Sequence, residues 1–159
     1  MKTLILYTTR HGAAREIARR IADTLSVDDI FDLADTDAVA ALDLGQYDRF
    51  ILGSAIYAGQ IRKELKDFIA QNESDFKDKR FGFFLASLDE KGGDKAFSAN
   101  FSEELLQSAQ ATLRAGGIFD PSKTNIAEKA VAKMFMKSAD YVSTISEERI
   151  ADFVQEMNA

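Results

Sequence analysis

Residues Thr3–Thr8 form an apolar run, Thr-Leu-Ile-Leu-Tyr-Thr, with no alternation of polar and apolar side chains. A strand patterned this way is covered on both faces, the situation of a parallel strand between two layers of helices. Ala14, Ile17, Ala18, Ile21, Ala22 and Leu25 then recur at helical spacing, with Arg15, Glu16, Arg19, Arg20 and Asp23 on the opposite side. One β-α unit is therefore written into the first 25 residues, and its strand belongs in a parallel sheet.

The rest of the chain repeats the alternation. Val27–Leu33 reads as a second, weaker strand, and Ala38–Leu42 as a short helical connection. Arg49–Ala55 is a third strand, followed by Tyr57-Ala58-Gly59 and a helix with Ile61, Leu65, Phe68 and Ile69 inward. Phe81–Ala86 is a fourth strand, and a loop with Gly92-Gly93 leads to a helix carrying Phe101, Leu105, Leu106 and Ala109. Ala111–Phe119 is a fifth strand, closed by Asp120-Pro121. A helix from about Asn125 to Ser138 and another from about Glu147 to Met157, N-capped by Ser146, complete the pattern. The expected architecture is α/β, a doubly wound five-stranded parallel sheet in the order 2-1-3-4-5. With 159 residues, no repeat and no linker, one domain over residues 1–159 is expected.

Composition removes several chemistries. There is no cysteine, so disulfides, thiolate nucleophiles and cysteine-held iron–sulfur clusters are out of reach. His11 is the sole histidine, which excludes multi-histidine metal sites. A net charge of −6 opposes general nucleic-acid binding and suits a basic partner. No apolar stretch spans a bilayer, and the N-terminal run is too short for a signal peptide, so a cytoplasmic protein is expected.

In the 2-1-3-4-5 order the ligand site belongs at the carboxyl ends of the first and third strands. The loops to examine are Thr8–Ala14, Ser54–Gln60 and Ser87–Asp94. The first, Thr8-Thr9-Arg10-His11-Gly12-Ala13-Ala14, offers hydroxyls, a glycine and a helix N-terminus. That is an anion site in physical terms, although a polar turn with threonine as cap explains the same residues. A Walker A motif and a G-x-G-x-x-G fingerprint are both absent. Thr8-Thr9 and Gly53-Ser54 stand where a receiver domain needs carboxylates.

The run from Leu4 to Ala18 resembles the opening of flavodoxins. It is closer still to the flavodoxin-domain branch that contains the menaquinone-dependent protoporphyrinogen IX dehydrogenases, with their T-R-D-G-x-T-R-E-I-A segment. Tyr47–Ile56 is similar to that branch's third strand and second loop, and Gly116-Gly117 with Pro121 and Met134–Lys137 to its C-terminal part. The resemblance implies an FMN whose phosphate lies on Thr8, Thr9, Arg10, His11, Gly12, Ala13 and Ala14. Its isoalloxazine would lie between Ser54, Ala55, Ile56, Tyr57, Ala58 and Gly59 on one side and Ser87, Leu88 and Asp89 on the other. Flavodoxin loops usually carry hydroxyls at the positions of Thr9, His11 and Ala14, and here only Thr9 does. His11 is open to donating to the phosphate or to serving only through its backbone. Tyr57 is open to stacking on the flavin or to packing against its own strand. Asp89, Glu90 and Asp94 make the third loop acidic.

Two functions follow from the resemblance. One is a carrier passing electrons between redox partner proteins with basic docking faces. The other is an FMN-dependent oxidoreductase acting on a porphyrinogen or a quinone. A flavin-free regulatory or scaffold domain is a third. The acidic chain, with only a modest lysine-bearing helix near its end, favours the carrier, with membrane association at most peripheral. In that helix Ile126, Ala130, Val131, Met134 and Phe135 fall on one stripe expected to face the core, with Lys129, Lys133, Met136 and Lys137 elsewhere, although a docking face for a membrane surface, quinone or partner explains the same residues.

Overall fold

A computed structural model of the chain describes residues 1–136 and 140–159, with the side chains of all of these but 131, 132 and 134–136. Strand β1 (Thr3–Thr8) is buried along its whole length, as its unbroken apolar pattern requires. Five parallel strands make the sheet: β1, β2 (Asp29–Asp32), β3 (Arg49–Tyr57), β5 (Arg80–Ala86) and β6 (Ala111–Gly116). Their order is β2-β1-β3-β5-β6, which is 2-1-3-4-5 when only parallel strands are counted. The strand missing from the sequence reading is β4 (Gln60–Ile61), antiparallel to the end of β3 through Ile56↔Ile61 and Tyr57↔Gln60. Ala58 and Gly59, at φ 50 and 75, form the two-residue turn between them. Ile61, expected inside the third helix, therefore lies in this hairpin.

Alternation along each strand divides the core in two. Ile5, Ile51 and Phe84 face α1 (Ala13–Thr24) and α7 (Glu147–Asn158), meeting Ile17, Ile21, Phe153 and Met157. Leu4, Leu6, Phe50, Leu52, Phe81 and Phe83 face the other way. There they meet α3 (Lys63–Phe76), α4 (Gly93–Asn100) and α5 (Glu103–Ser108) through Leu65, Phe68, Phe76, Phe97 and Leu105. The short α2 (Thr36–Ala40) is N-capped by Asp35 and starts two residues earlier than expected.

Three larger features differ from expectation. The helix expected to carry Phe101 is two helices: Phe101 is extended, and Ser102 caps α5 by accepting from Leu105 N at 3.2 Å. The expected fifth strand stops at Gly116, whose φ of 97 turns the chain out of the sheet. A Cβ there would lie 2.2 Å from the Thr144 carbonyl oxygen, so only glycine fits without a shift. Beyond it, β7 (Ile118–Phe119) pairs with β8 (Val142–Ser143) away from the main sheet. Between these two strands runs α6 (Ile126–Met136).

The third difference concerns α6. Its expected inward stripe begins with residues that face solvent: Ile126 is 88% exposed and Ala130 is exposed, whereas Glu128 is buried. Val131, Met134, Phe135 and Met136 lie outside the described side chains, and residues 137–138 of the expected helix, Lys137 among them, lie outside the described residues.

Candidate functional site

The strand order reverses between β1 and β3, and the loops leaving β1, β3 and β5 converge at that reversal. The first loop is shaped by Gly12, which stands at φ 102 as the N-terminal flank of α1. No side chain caps this helix. The amides of its first turn, Ala13, Ala14 and Arg15, have no intrahelical acceptor, and the positive end of the helix dipole lies there. Thr9 Oγ1 accepts from Gly12 N at 2.9 Å, which fixes the turn and leaves the hydroxyl proton to donate elsewhere. The Lys123 ammonium lies beside Gly12, 3.9 Å from where a Cβ at that position would stand.

Arg10 and His11 meet a partner that the local sequence does not reveal. Arg10 Nε donates to Glu128 Oε1 at 3.0 Å, Arg10 Nη2 donates to the same oxygen, and His11 Nε2 lies 2.6 Å from Glu128 Oε2. Asn125 begins α6, accepting from Glu128 N at 2.8 Å, and its side-chain amide donates to Glu128 Oε1 at 3.3 Å. Burial pushes the Glu128 carboxyl up, but the hydrogen bonds from Arg10 and His11 outweigh it and hold the group below the ordinary glutamate value. Glu128 is thus a carboxylate at neutral pH, almost enclosed and held between the Arg10 guanidinium and the His11 ring.

The second loop is the hairpin at the end of β3. Asn100 of α4 donates to Gly59 O at 2.9 Å and accepts from Ile61 N at 3.0 Å, which pins the turn to that helix. Tyr57 is 45% exposed, and the Arg10 guanidinium carbon lies 4.3 Å from its ring centroid. Arg10 accordingly joins three elements: its own loop, the hairpin and α6. In the third loop Asp89 Oδ1 accepts from Lys91 N and Gly92 N at 3.0 and 3.1 Å, and Glu90 pairs with Arg149 at 3.3 Å. Two of the three acidic groups expected to crowd this loop are therefore engaged in shaping or tethering it.

A cavity of about 510 Å3 opens between the three loops. Of the expected residues, Arg10, His11, Ile56, Tyr57, Ala58, Gly59, Ser87, Leu88 and Asp89 line it, and Ala13 and Ala55 line a smaller adjoining recess of about 120 Å3. Thr8 and Ser54 stand behind the wall. Arg62 Nε donates to Thr8 Oγ1 at 3.1 Å and Arg62 N to Ser54 Oγ at 2.9 Å, so both hydroxyls serve the scaffold. Thr9, Gly12 and Ala14 are likewise not cavity walls; their part is the turn and the helix start. Sequence reasoning missed Arg62, Lys95, Arg114, Phe119 and Glu128. The Asn125-x-x-Glu128 spacing is a helix-start signal that could have been found, though it does not say where the carboxylate goes.

Among the described residues no group of three His, Asp or Glu side chains could hold a metal, and no helix is long and apolar enough to cross a membrane.

This geometry has counterparts. Residues 4–145 match the model of the flavodoxin domain family, and the chain belongs to that family. The protoporphyrinogen IX dehydrogenase (quinone) of Escherichia coli (strain K12) is 30% identical over 89 residues, 55% of this chain and 49% of that protein. The chain thus spans about half the length of the curated relatives it matches. Among solved structures, the flavodoxin, WrbA-like protein from Agrobacterium tumefaciens superposes with a TM-score of 0.59 at 16% identity, covering 99% of this chain and 97% of that one. The flavoprotein in complex with FMN from Lactobacillus acidophilus NCFM gives 0.52 at 18% identity, over 70% and 91% of the two chains. At these identities the two structures speak for the fold.

Proposed function

We propose that this chain binds one FMN and carries electrons between partner proteins, as a single domain over residues 1–159 in the cytoplasm. The carrying observation is the uncapped N-terminus of α1 beside a cavity of about 510 Å3, in a chain of the flavodoxin domain family. The residues fit the cofactor: free amides and a hydroxyl proton suit a phosphate, and two loops with an aromatic ring suit a planar ring system. Thr9–Ala14 would hold the phosphate, with Thr8 and Ser54 fixing the scaffold behind it through Arg62. Ala55–Gly59 and Ser87–Asp89 would flank the isoalloxazine. Bound flavin supplies a group that accepts and donates one or two electrons. The protein's part is to orient that group, shield one side of it and present an edge to a partner. A net charge of −6 favours a partner with a basic face.

Titration with FMN and with riboflavin, followed by visible absorbance, tests the reading. FMN is expected to bind tighter by at least about a hundredfold, because several hydrogen bonds to a charged acceptor separate the two ligands. Equal affinities would sink it. Thr9→Val should weaken FMN by roughly 1.5–3 kcal/mol, the usual worth of one hydrogen bond to a charged group. Tyr57→Ala should weaken it by less, about 0.5–1.5 kcal/mol, and raise flavin fluorescence. An unchanged affinity and spectrum would assign Tyr57 to packing with Arg10 alone.

The match to the E. coli dehydrogenase favours a second reading, an oxidoreductase acting on a porphyrinogen or quinone. Leu85, Leu88, Ile118 and Phe119 give the cavity apolar walls that such a substrate would use. The two readings separate by rate. A carrier should reduce a basic acceptor such as cytochrome c rapidly, at a rate that falls with salt, and turn over protoporphyrinogen with a menaquinone analogue slowly or not at all. FMN- and quinone-dependent porphyrin formation would reverse the choice.

A further inference from the structure

We propose that Glu128 is a built-in competitor for the phosphate end of the site, a side chain that FMN must displace from Arg10 and His11. It would thereby set the affinity of the site. This rests on the FMN reading above. A carboxylate and a phosphate are equivalent acceptors for a guanidinium, so both cannot hold Arg10 in the same way at once. Glu128 takes both Nε and Nη2 of Arg10 and also His11 Nε2. It is the one carboxylate bonded to either side chain among the described residues, and Lys123 supplies a further positive charge beside Gly12.

The direction of Glu128 is not dictated by its helix. A glutamate at this position of a helix start commonly reaches back to the backbone N–H of the cap residue. Here Asn125 caps the Glu128 amide, and the carboxylate turns to the opposite loop, 118 positions away from Arg10. Arg10 is held from a second side by the Tyr57 ring. The guanidinium is thus engaged by an anion and an aromatic face, the two chemical features that the phosphate and ring of FMN present. A dianion arriving at the α1 N-terminus competes with Glu128 for the Arg10 guanidinium and the His11 ring nitrogen, and repels the carboxylate. Binding therefore frees Glu128, and with it the first turn of α6, so occupancy of the site and docking of α6 oppose each other.

Glu128→Gln removes the charge and keeps the shape, and the purified full chain is titrated with FMN, riboflavin and inorganic phosphate, with a melting curve of the unliganded protein. The unliganded variant is expected to melt lower, yet to bind FMN about tenfold tighter and inorganic phosphate detectably, with riboflavin affinity unchanged. A group that merely holds the fold together would lower stability and affinity alike. Asn125→Ala removes both the amide hydrogen bond to the Glu128 carboxylate and the cap on the Glu128 N–H, and so loosens the carboxylate without removing its charge. It should lower the melting temperature and tighten FMN by less than about tenfold, and serves if the first variant does not fold. FMN binding by the wild type with no gain in the variant overturns the inference alone. No FMN binding by either protein overturns the FMN reading and the inference together. Binding by the variant only supports both.

Discussion

Gly53→Ala is expected to cost about 3 kcal/mol, at the upper end for overpacking a tight core. Gly53 lies in the central strand β3, directly paired with Phe84 of β5. A Cβ at this glycine would stand 2.0, 2.1 and 2.3 Å from three atoms of the Phe84 ring. That ring is fully buried against the α1 and α7 side of the core, so it can move only by displacing its neighbours there. In a chain of this size the loss corresponds to a fall in melting temperature of roughly 6–12 °C. Thermal unfolding monitored by circular dichroism measures it. Phe84→Leu on the same background should recover part of the loss, and failure to recover any would place the strain elsewhere.

Arg49→Leu is expected to cost a similar amount, about 3 kcal/mol, through unsatisfied acceptors. Arg49 is 4% exposed at the start of β3. Its Nε donates to Thr3 Oγ1 at 2.9 Å, and its Nη1 to Met157 O at 3.1 Å and Asn158 Oδ1 at 3.0 Å. It therefore fastens β1 to β3 and caps the C-terminus of α7, where the helix dipole favours a cation. Burial pulls its pKa below the usual arginine value, with nearby Arg80 acting the same way, yet an arginine so shifted is still protonated. Urea unfolding of Arg49→Leu and Arg49→Lys is the measurement. Lysine reaches fewer acceptors from one point and should fall between leucine and arginine.

The sheet order and the convergence of the three candidate loops on one cavity are legible in the sequence because their causes are local. Unbroken apolar runs mark strands buried on both faces, and α1 has a clean apolar face. The position of the loops then follows from the reversal in strand order. Where the structure departs from the sequence pattern, local signals compete. Phe97, Phe101 and Leu105 are spaced four apart, as in one continuous helix, so the break at Ser102 is masked by its own periodicity. Ile118 and Phe119 carry the strand pattern of Ala111–Gly116 past the Gly116-Gly117 pair, so the glycines read as a softening of the strand, whereas the positive φ of Gly116 ends it there. Ala58 occupies a left-handed position usually given to Asn or Gly, so the hairpin before Ile61 carried a weak signature. The site's least legible part is its electrostatics. Arg10, His11 and Glu128 come together across more than a hundred residues, and Arg62 reaches Thr8 across 54. No window of sequence contains both ends of such a contact.

The excursion that leaves at Gly116 returns almost to its point of departure. Thr144 N donates to Gly117 O at 2.9 Å, Gly117 N to Thr144 Oγ1 at 3.0 Å, and Ser146 N to Ala115 O at 2.8 Å. Its two ends are thus stitched together at a neck, and in polymer terms it is a closed loop grafted onto the end of β6. Doubling the length of such a loop adds only about 0.6 kcal/mol of closure entropy. The register of β6 and the seating of α7 are set on the near side of the stitch. Insertions, deletions or a different segment altogether can be carried beyond it while the sheet keeps its geometry. The same scaffold can in this way acquire a new cover over its cavity through change confined to one removable piece.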